Sequence, residues 1–166
     1  MLNTNFVEQS DLSSLATRRN CNVCWIDSSK FGKGVLSRNW TKADIGDVYK
    51  IAEWCVRMCE PSEVFAWTFS DGVLLGHILA QEPHGWDAVV AHSGLFRGVE
   101  IAETGPAVLV VVGMDEPHGA VMRAAVDADE AYREADRKVT LWRVPGLAHN
   151  WAVSENDNML DWCVKA

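Results

Sequence analysis

The sequence has no apolar run near the roughly 20 residues that a membrane-spanning helix needs. It has no surplus of basic residues: 15 Lys and Arg stand against 23 Asp and Glu, a formal net charge of -8. An acidic chain without a basic run is a poor match for nucleic acid or an anionic membrane, and neither is expected as a partner. Internal repeats, low-complexity tracts and Pro- or Ser-rich linkers are all missing, so the whole chain reads as one domain. The start, Met1 to Asp11, is polar and lacks a basic stretch leading into an apolar one. No signal peptide is expected, and a cytoplasmic location follows as an expectation. Cysteine is sparse and odd in number, at five, which fits reduced thiols better than a disulfide framework.

What is present is ordinary for a globular domain: 166 residues, 48% hydrophobic and 23% charged. Short apolar runs alternate with longer amphipathic stretches. Ser10 to Arg19 reads as a helix and Asn22 to Ile26 as a short strand. A loop from Asp27 to Trp40 precedes a second helix, opened by the capping-box-like pair Thr41 and Asp44 and closed by Pro61. Val64 to Thr68 is the next strand, Gly72 to Gln81 a helix and Ala88 to Ala91 a strand. Ala107 to Gly113, "AVLVVVG", is a continuous apolar run, as a strand covered on both faces requires. A helix over about Glu116 to Ala135, a strand over Lys138 to Val144 and a helix from Ser154 complete the chain. Strands alternating with helices predict an α/β fold: a parallel sheet of about five strands with helices on both faces. Ligands in such sheets bind at the carboxyl ends of the strands.

The cysteines invite a metal reading through Cys21-x-x-Cys24 and the pair Cys55 and Cys59. An odd offset along a strand sends Cys21 and Cys24 to opposite faces, and Cys55 and Cys59 follow the apolar stripe of their helix. They are therefore expected in the core, and no metal site is expected. Most of the eight tryptophans are expected in or near the core as well. No Gly-x-Gly-x-x-Gly opens a helix after the first strand, which counts against a dinucleotide or flavin site.

Three chemically capable side chains follow three separate strands. Ser70 lies in Thr68-Phe69-Ser70-Asp71-Gly72, between an apolar strand and a helix. Asp115 lies two residues beyond the Gly113 strand, with Glu116 its nearest rival, and His149 lies in the "VPGLAHNW" segment after the last strand. Acyl transfer needs this set: a hydroxyl, an imidazole to take its proton, and a carboxylate to fix the imidazole tautomer and stabilise its charged form. His92 and His118 also follow strands, while His77 and His84 have no assigned chemistry. The simpler readings are a helix-capping serine and ordinary loop residues; the three motifs in this order outweigh them.

These segments resemble the α/β-hydrolase superfamily over nearly the whole chain. "FSDG" around Ser70 resembles its nucleophile elbow, "AVVAHSGLF" its next strand and loop, "PAVLVVVGMDEP" its acid-bearing strand and "VPGLAHNWA" its histidine loop. Within the superfamily the segments are most similar to small carboxylesterases, phospholipase/carboxylesterase proteins and dienelactone-hydrolase relatives. The resemblance implies Ser70 as nucleophile, His149 as base, Asp115 as acid and the Asp71 N–H as an oxyanion donor. Phe69, His92 and Trp151 are expected to line the substrate pocket. It further implies a small ester or thioester substrate and no cofactor.

Two departures qualify the resemblance. Thr68 stands where the elbow has its first glycine. Complete members also begin with more strands, and a loop there supplies a second oxyanion N–H; this sequence shows neither. Losing one such donor typically costs about 100- to 1,000-fold in rate. The alternative reading is therefore a truncated, weakly active or inactive relative that acts as a protein-interaction or self-associating module. Either the Asn22–Ile26 and Val64–Thr68 strands pair directly or another chain fills the place between them; if they pair directly, Asn22–Ile26 becomes an apolar edge strand that calls for cover by a homodimer mate or a partner chain.

Overall fold

The apolar runs become the strands of one parallel sheet in a computed structural model that describes residues 9–24, 26, 42–82 and 85–166. In chain order the elements are α1 (Leu12–Arg19), α2 (Lys42–Cys59), β1 (Phe65–Phe69), a 3-10 turn (Ser70–Gly72), α3 (Val73–Leu79), β2 (Ala88–His92) and β3 (Ala107–Gly113). They continue with α4 (Gly119–Glu134), β4 (Val139–Val144), a second 3-10 turn (Val153–Glu155) and α5 (Asn156–Lys165). The sheet order is β1-β2-β3-β4, with every neighbouring pair parallel.

β3 is buried at all seven positions, which is why its sequence is apolar without alternation. Its alternate residues feed two cores. Val108, Val110 and Val112 pack with Leu75, Leu79, Val121, Ala125 and Tyr132 beneath α3 and α4. Leu109 and Val111 pack with Leu12, Leu15, Met159, Leu160 and Cys163 beneath α1 and α5. Helices therefore cover both faces, as the alternating pattern predicts. No helix among the described residues is long and apolar enough to cross a membrane.

The predicted strand at Asn22–Ile26 does not form: Asn22, Val23, Cys24 and Ile26 are irregular, and Trp25 lies outside the described residues. The sheet has four strands among the described residues, one fewer than expected. Cys21 packs against the core of the α1–α5 face and Ile26 against that of the α2–α4 face. β1, the strand it was expected to join, has β2 as its one ladder neighbour among the described residues. The strand at which a partner chain was expected to dock is not formed among the described residues. The Asp27–Trp40 loop and the Thr41 cap lie outside the described residues.

Helix α2 departs from expectation in its second half. Val48 is buried and Ile45 and Tyr49 pack against the core, but Trp54 and Met58 are 56% and 65% exposed. Cys55 is half-buried and Cys59 is exposed, so the two cysteines do not sit in the core.

Candidate active site

β1 delivers Ser70 to a sharp turn. Phe69 is extended, Ser70 has φ 53°, and the chain enters a 3-10 turn that runs directly into α3. A non-glycine residue in this left-handed region carries about 1–2 kcal/mol of strain, the kind that clusters at functional turns. Two glycines make the close packing possible. A Cβ at Gly94 would collide with the Ser70 carbonyl oxygen and the Val73 side chain, so only glycine lets the segment after β2 close over the elbow. A Cβ at Gly76 would strike the Thr68 side chain. Thr68 is thus accommodated where the family elbow has glycine: the missing side chain is supplied across the packing, from α3. Its Oγ1 donates to the Val90 carbonyl at 2.9 Å, which ties the elbow to β2.

The histidine loop is drawn in by the end of β3. Met114 N–H donates to Val144 O at 2.9 Å and Asp115 N–H to Leu147 O at 3.0 Å, so the pairing of β3 with β4 continues into the loops. Gly113 is needed here because a Cβ would occupy the place of the Leu147 carbonyl. His149 thereby reaches Ser70, 79 residues away in sequence, with Nε2 2.9 Å from Ser70 Oγ. Its Nδ1 lies 2.7 Å from Glu116 Oε2. An ionised carboxylate only accepts, so Nδ1 carries the proton and Nε2 is left to accept from the Ser70 hydroxyl.

The carboxylate is Glu116 and not Asp115. Asp115 is exposed, and its backbone N–H is spent on Leu147. Glu116 comes next, in the turn that leaves β3, and its side chain is 0% exposed. Its two oxygens are divided: Oε1 accepts the His118 backbone N–H at 3.1 Å, and Oε2 meets His149. β3 ends at Gly113, and the turn that follows, in which Glu116 N–H donates back to Gly113 O at 3.4 Å, sets the two adjacent carboxylates in different directions. The His118 ring stands edge-on to His149, with centroids 5.4 Å apart.

The three expected pocket residues occupy two depths. Phe69 is half-buried, with its ring centroid 5.6 Å from His149 and 5.8 Å from Trp151. His92 is fully buried and Trp151 is 8% exposed, so neither lines an open pocket. They stack at 4.9 Å and 19° behind Phe69, and His92 Nε2 accepts the Ala152 N–H at 3.1 Å. Burial, aided by nearby His149, pushes the His92 imidazole down to about 3, which keeps it a neutral acceptor for the histidine loop. Buried Asn156, which sequence reasoning passed over, continues this support: its Oδ1 accepts Trp151 Nε1–H and its Nδ2 donates to Ser10 O, both at 2.7 Å. Asp71 follows Ser70 in the 3-10 turn with its side chain exposed. Among the described residues no three His, Cys, Asp or Glu side chains converge as metal ligands would.

Neither a family model nor a curated protein matches this sequence. Solved structures do match in three dimensions. A point variant of SOBER1 from Arabidopsis thaliana aligns with TM-score 0.63 at 19% identity, covering 74% of this chain and 63% of that one. In that alignment the chain spans less than two thirds of its relative's length. The Bacillus cereus carboxylesterase aligns with TM-score 0.71 at 15% identity, covering 93% and 81%. MGS-M1, an α/β-hydrolase enzyme from a Medee basin deep-sea metagenome library, aligns with TM-score 0.71 at 17% identity, covering 95% and 76%. With its parallel sheet, two helical layers and strand-to-helix elbow, the chain has an α/β-hydrolase-like fold, shortened relative to the complete one.

Proposed function

We propose that the protein is a serine hydrolase that cleaves a small ester or thioester through an acyl-serine intermediate. The observation that carries this reading is the continuous hydrogen-bonded chain Ser70–His149–Glu116, whose members come from three different loops at the carboxyl end of the sheet. Ser70 Oγ attacks the substrate carbonyl carbon while His149 Nε2 takes the hydroxyl proton. The Glu116 carboxylate, held by the His118 N–H, stabilises the imidazolium. The carbonyl oxygen becomes an oxyanion, for which the Asp71 N–H at the elbow is the donor on this side. Nε2 then returns the proton to the departing alcohol or thiol. Water repeats the sequence in reverse to release the acid and restore Ser70. The Bacillus cereus neighbour is named a carboxylesterase, in keeping with an ester substrate.

The test is labelling with a fluorophosphonate probe followed by hydrolysis of a short p-nitrophenyl ester series. Labelling that disappears in Ser70→Ala, with unchanged circular dichroism, is the expected result. A folded wild-type protein that neither labels nor hydrolyses any ester would instead favour the interaction-module reading.

A further inference from the structure

We infer that Asn156 is a positioning residue for His149: its side-chain amide locks the Trp151 indole, and through it the loop that presents His149 to Ser70. The consequence for rate rests on the hydrolase reading; the consequence for His149 geometry does not.

Asn156 is the first residue of α5 and is fully buried. A polar group so placed needs partners to replace the water it gave up. It has two. Its Oδ1 accepts the Trp151 Nε1–H and its Nδ2 donates to Ser10 O, each at 2.7 Å. An indole N–H can only donate and a carbonyl can only accept. The amide is therefore fixed in one orientation, since a flip would set donor against donor and acceptor against acceptor. Ser10 is itself fully buried and lies just before α1. One side chain thus joins the start of α1 to the start of α5, 146 residues apart in sequence.

Trp151 carries this fixity toward the nucleophile. Its ring stacks on His92 with centroids 4.9 Å apart and meets the Phe69 ring edge-on at 5.8 Å. Phe69 precedes Ser70, and its ring lies 5.6 Å from that of His149. The main chain around the indole is pinned as well. Asn150 N–H donates to Ala148 O at 2.8 Å, Val153 N–H to Trp151 O at 3.0 Å, and Ala152 N–H to His92 Nε2 at 3.1 Å. His149 is half-buried within this run of turns, two residues before Trp151. Its ring must meet Ser70 Oγ and Glu116 Oε2 together, at 2.9 and 2.7 Å. A displacement of about 1 Å is enough to cost about 100-fold in rate.

Trp151→Phe keeps an aromatic ring and removes the N–H; Asn156→Leu keeps the volume and removes the amide. Both, and the double variant, are compared with wild type for ester kcat and KM and for urea unfolding. Each single variant is expected to lower kcat by about 10- to 100-fold with KM unchanged. The double variant should be no worse than Asn156→Leu, because the amide acts through the indole. Long-range 1H–15N spectra of the imidazole rings at mildly alkaline pH give a readout that needs no turnover. His149 should be in the Nδ1–H form in wild type and mixed between tautomers in both single variants. Asn158→Ala, at an exposed position of the same helix, should match wild type throughout. Should Asn156→Leu not fold, Trp151→Phe decides on the same readouts.

Variants that unfold more easily, yet keep the wild-type kcat and His149 tautomer in the folded fraction, would overturn the inference and make Asn156 purely structural. So would additive losses in the double variant, or an equal loss in Asn158→Ala. A wild-type protein that hydrolyses no ester, but whose His149 tautomer shifts in Trp151→Phe, would end the hydrolase reading and leave the positioning role standing.

Discussion

The two rims of the sheet each carry a polar network, and they differ in whether the network is closed. At the amino-terminal rim, Arg137 precedes β4 and is 7% exposed. Its Nη1 donates to Ala102 O and Thr104 O, and its Nη2 to Ala80 O and Pro106 O, at 2.8–3.1 Å. Its guanidinium lies 5.6 Å from the Tyr132 ring centroid. Tyr132 hydroxyl is in turn bonded to His77 Nδ1 and Gln81 Nε2. Each of these groups binds neighbours that also need it, and the arrangement ties together the segments leading into β2, β3 and β4. At the carboxyl-terminal rim the chain Glu116–His149–Ser70 ends on a half-buried hydroxyl. A closed network holds a fold together; one that ends on a half-buried hydroxyl can extend to something that is not part of the protein.

That contrast can be broken by substitution. The largest expected effect is at the open end: Ser70→Ala should lower ester turnover by about 10^6-fold with the melting temperature little changed, measured side by side on one preparation. A comparable fall in melting temperature would mean that the serine is structural. Next, Glu116→Gln should lower kcat by about 10^4-fold, because an amide can hold the wrong imidazole tautomer. Asp115→Asn should stay within about threefold, and a larger loss there than at Glu116 would restore Asp115 as the acid.

The opposite rim should answer in stability. Arg137→Met leaves four carbonyls without their donor and should cost about 3 kcal/mol or more in urea unfolding, with kcat in the folded fraction unchanged. Equal losses of kcat and stability would erase the distinction between the rims.

An effect of pH should run through both rims at once. Burial holds His77 and His92 neutral, with values pushed down to about 3 from 6.5. Below pH 6.5 the unfolded chain takes up protons that the native state refuses, so stability is full above that pH and falls toward pH 3. Each imidazole contributes a slope of about 1.4 kcal/mol per pH unit. Differential scanning fluorimetry should therefore show the melting temperature falling from pH 6.5 to 4, and a flat profile would remove the claim.

Much of this architecture was readable in advance, for physical reasons that differ by element. "AVLVVVG" can only be a strand buried on both sides, and its bounds match β3. α4 was readable because Val121, Ala125, Ala128 and Tyr132 recur at helical spacing and all face one core. The "NVCWI" stretch misled because apolar composition is necessary for a strand but does not provide a neighbour to pair with. Cys59 misled in the opposite way: the apolar spacing of α2 continues to its end, but Cys59, like Trp54 and Met58, is exposed. His92 and Trp151 were placed in the right neighbourhood but at the wrong depth, since position after a strand says nothing of what is stacked in front.

The sequence alone determined the order of strands and helices from α2 onward, the two-faced burial of the sheet, and the serine and histidine that meet at its carboxyl rim. These depend on periodicity and on which residue types can do acyl chemistry, and both are local properties. Only the tertiary structure decided between Asp115 and Glu116, since two adjacent carboxylates differ by where a turn points them. It alone showed how Gly76 makes room for Thr68 and how Glu116 reaches His149. Those outcomes depend on distances between segments far apart in the chain, and no local pattern encodes such a distance.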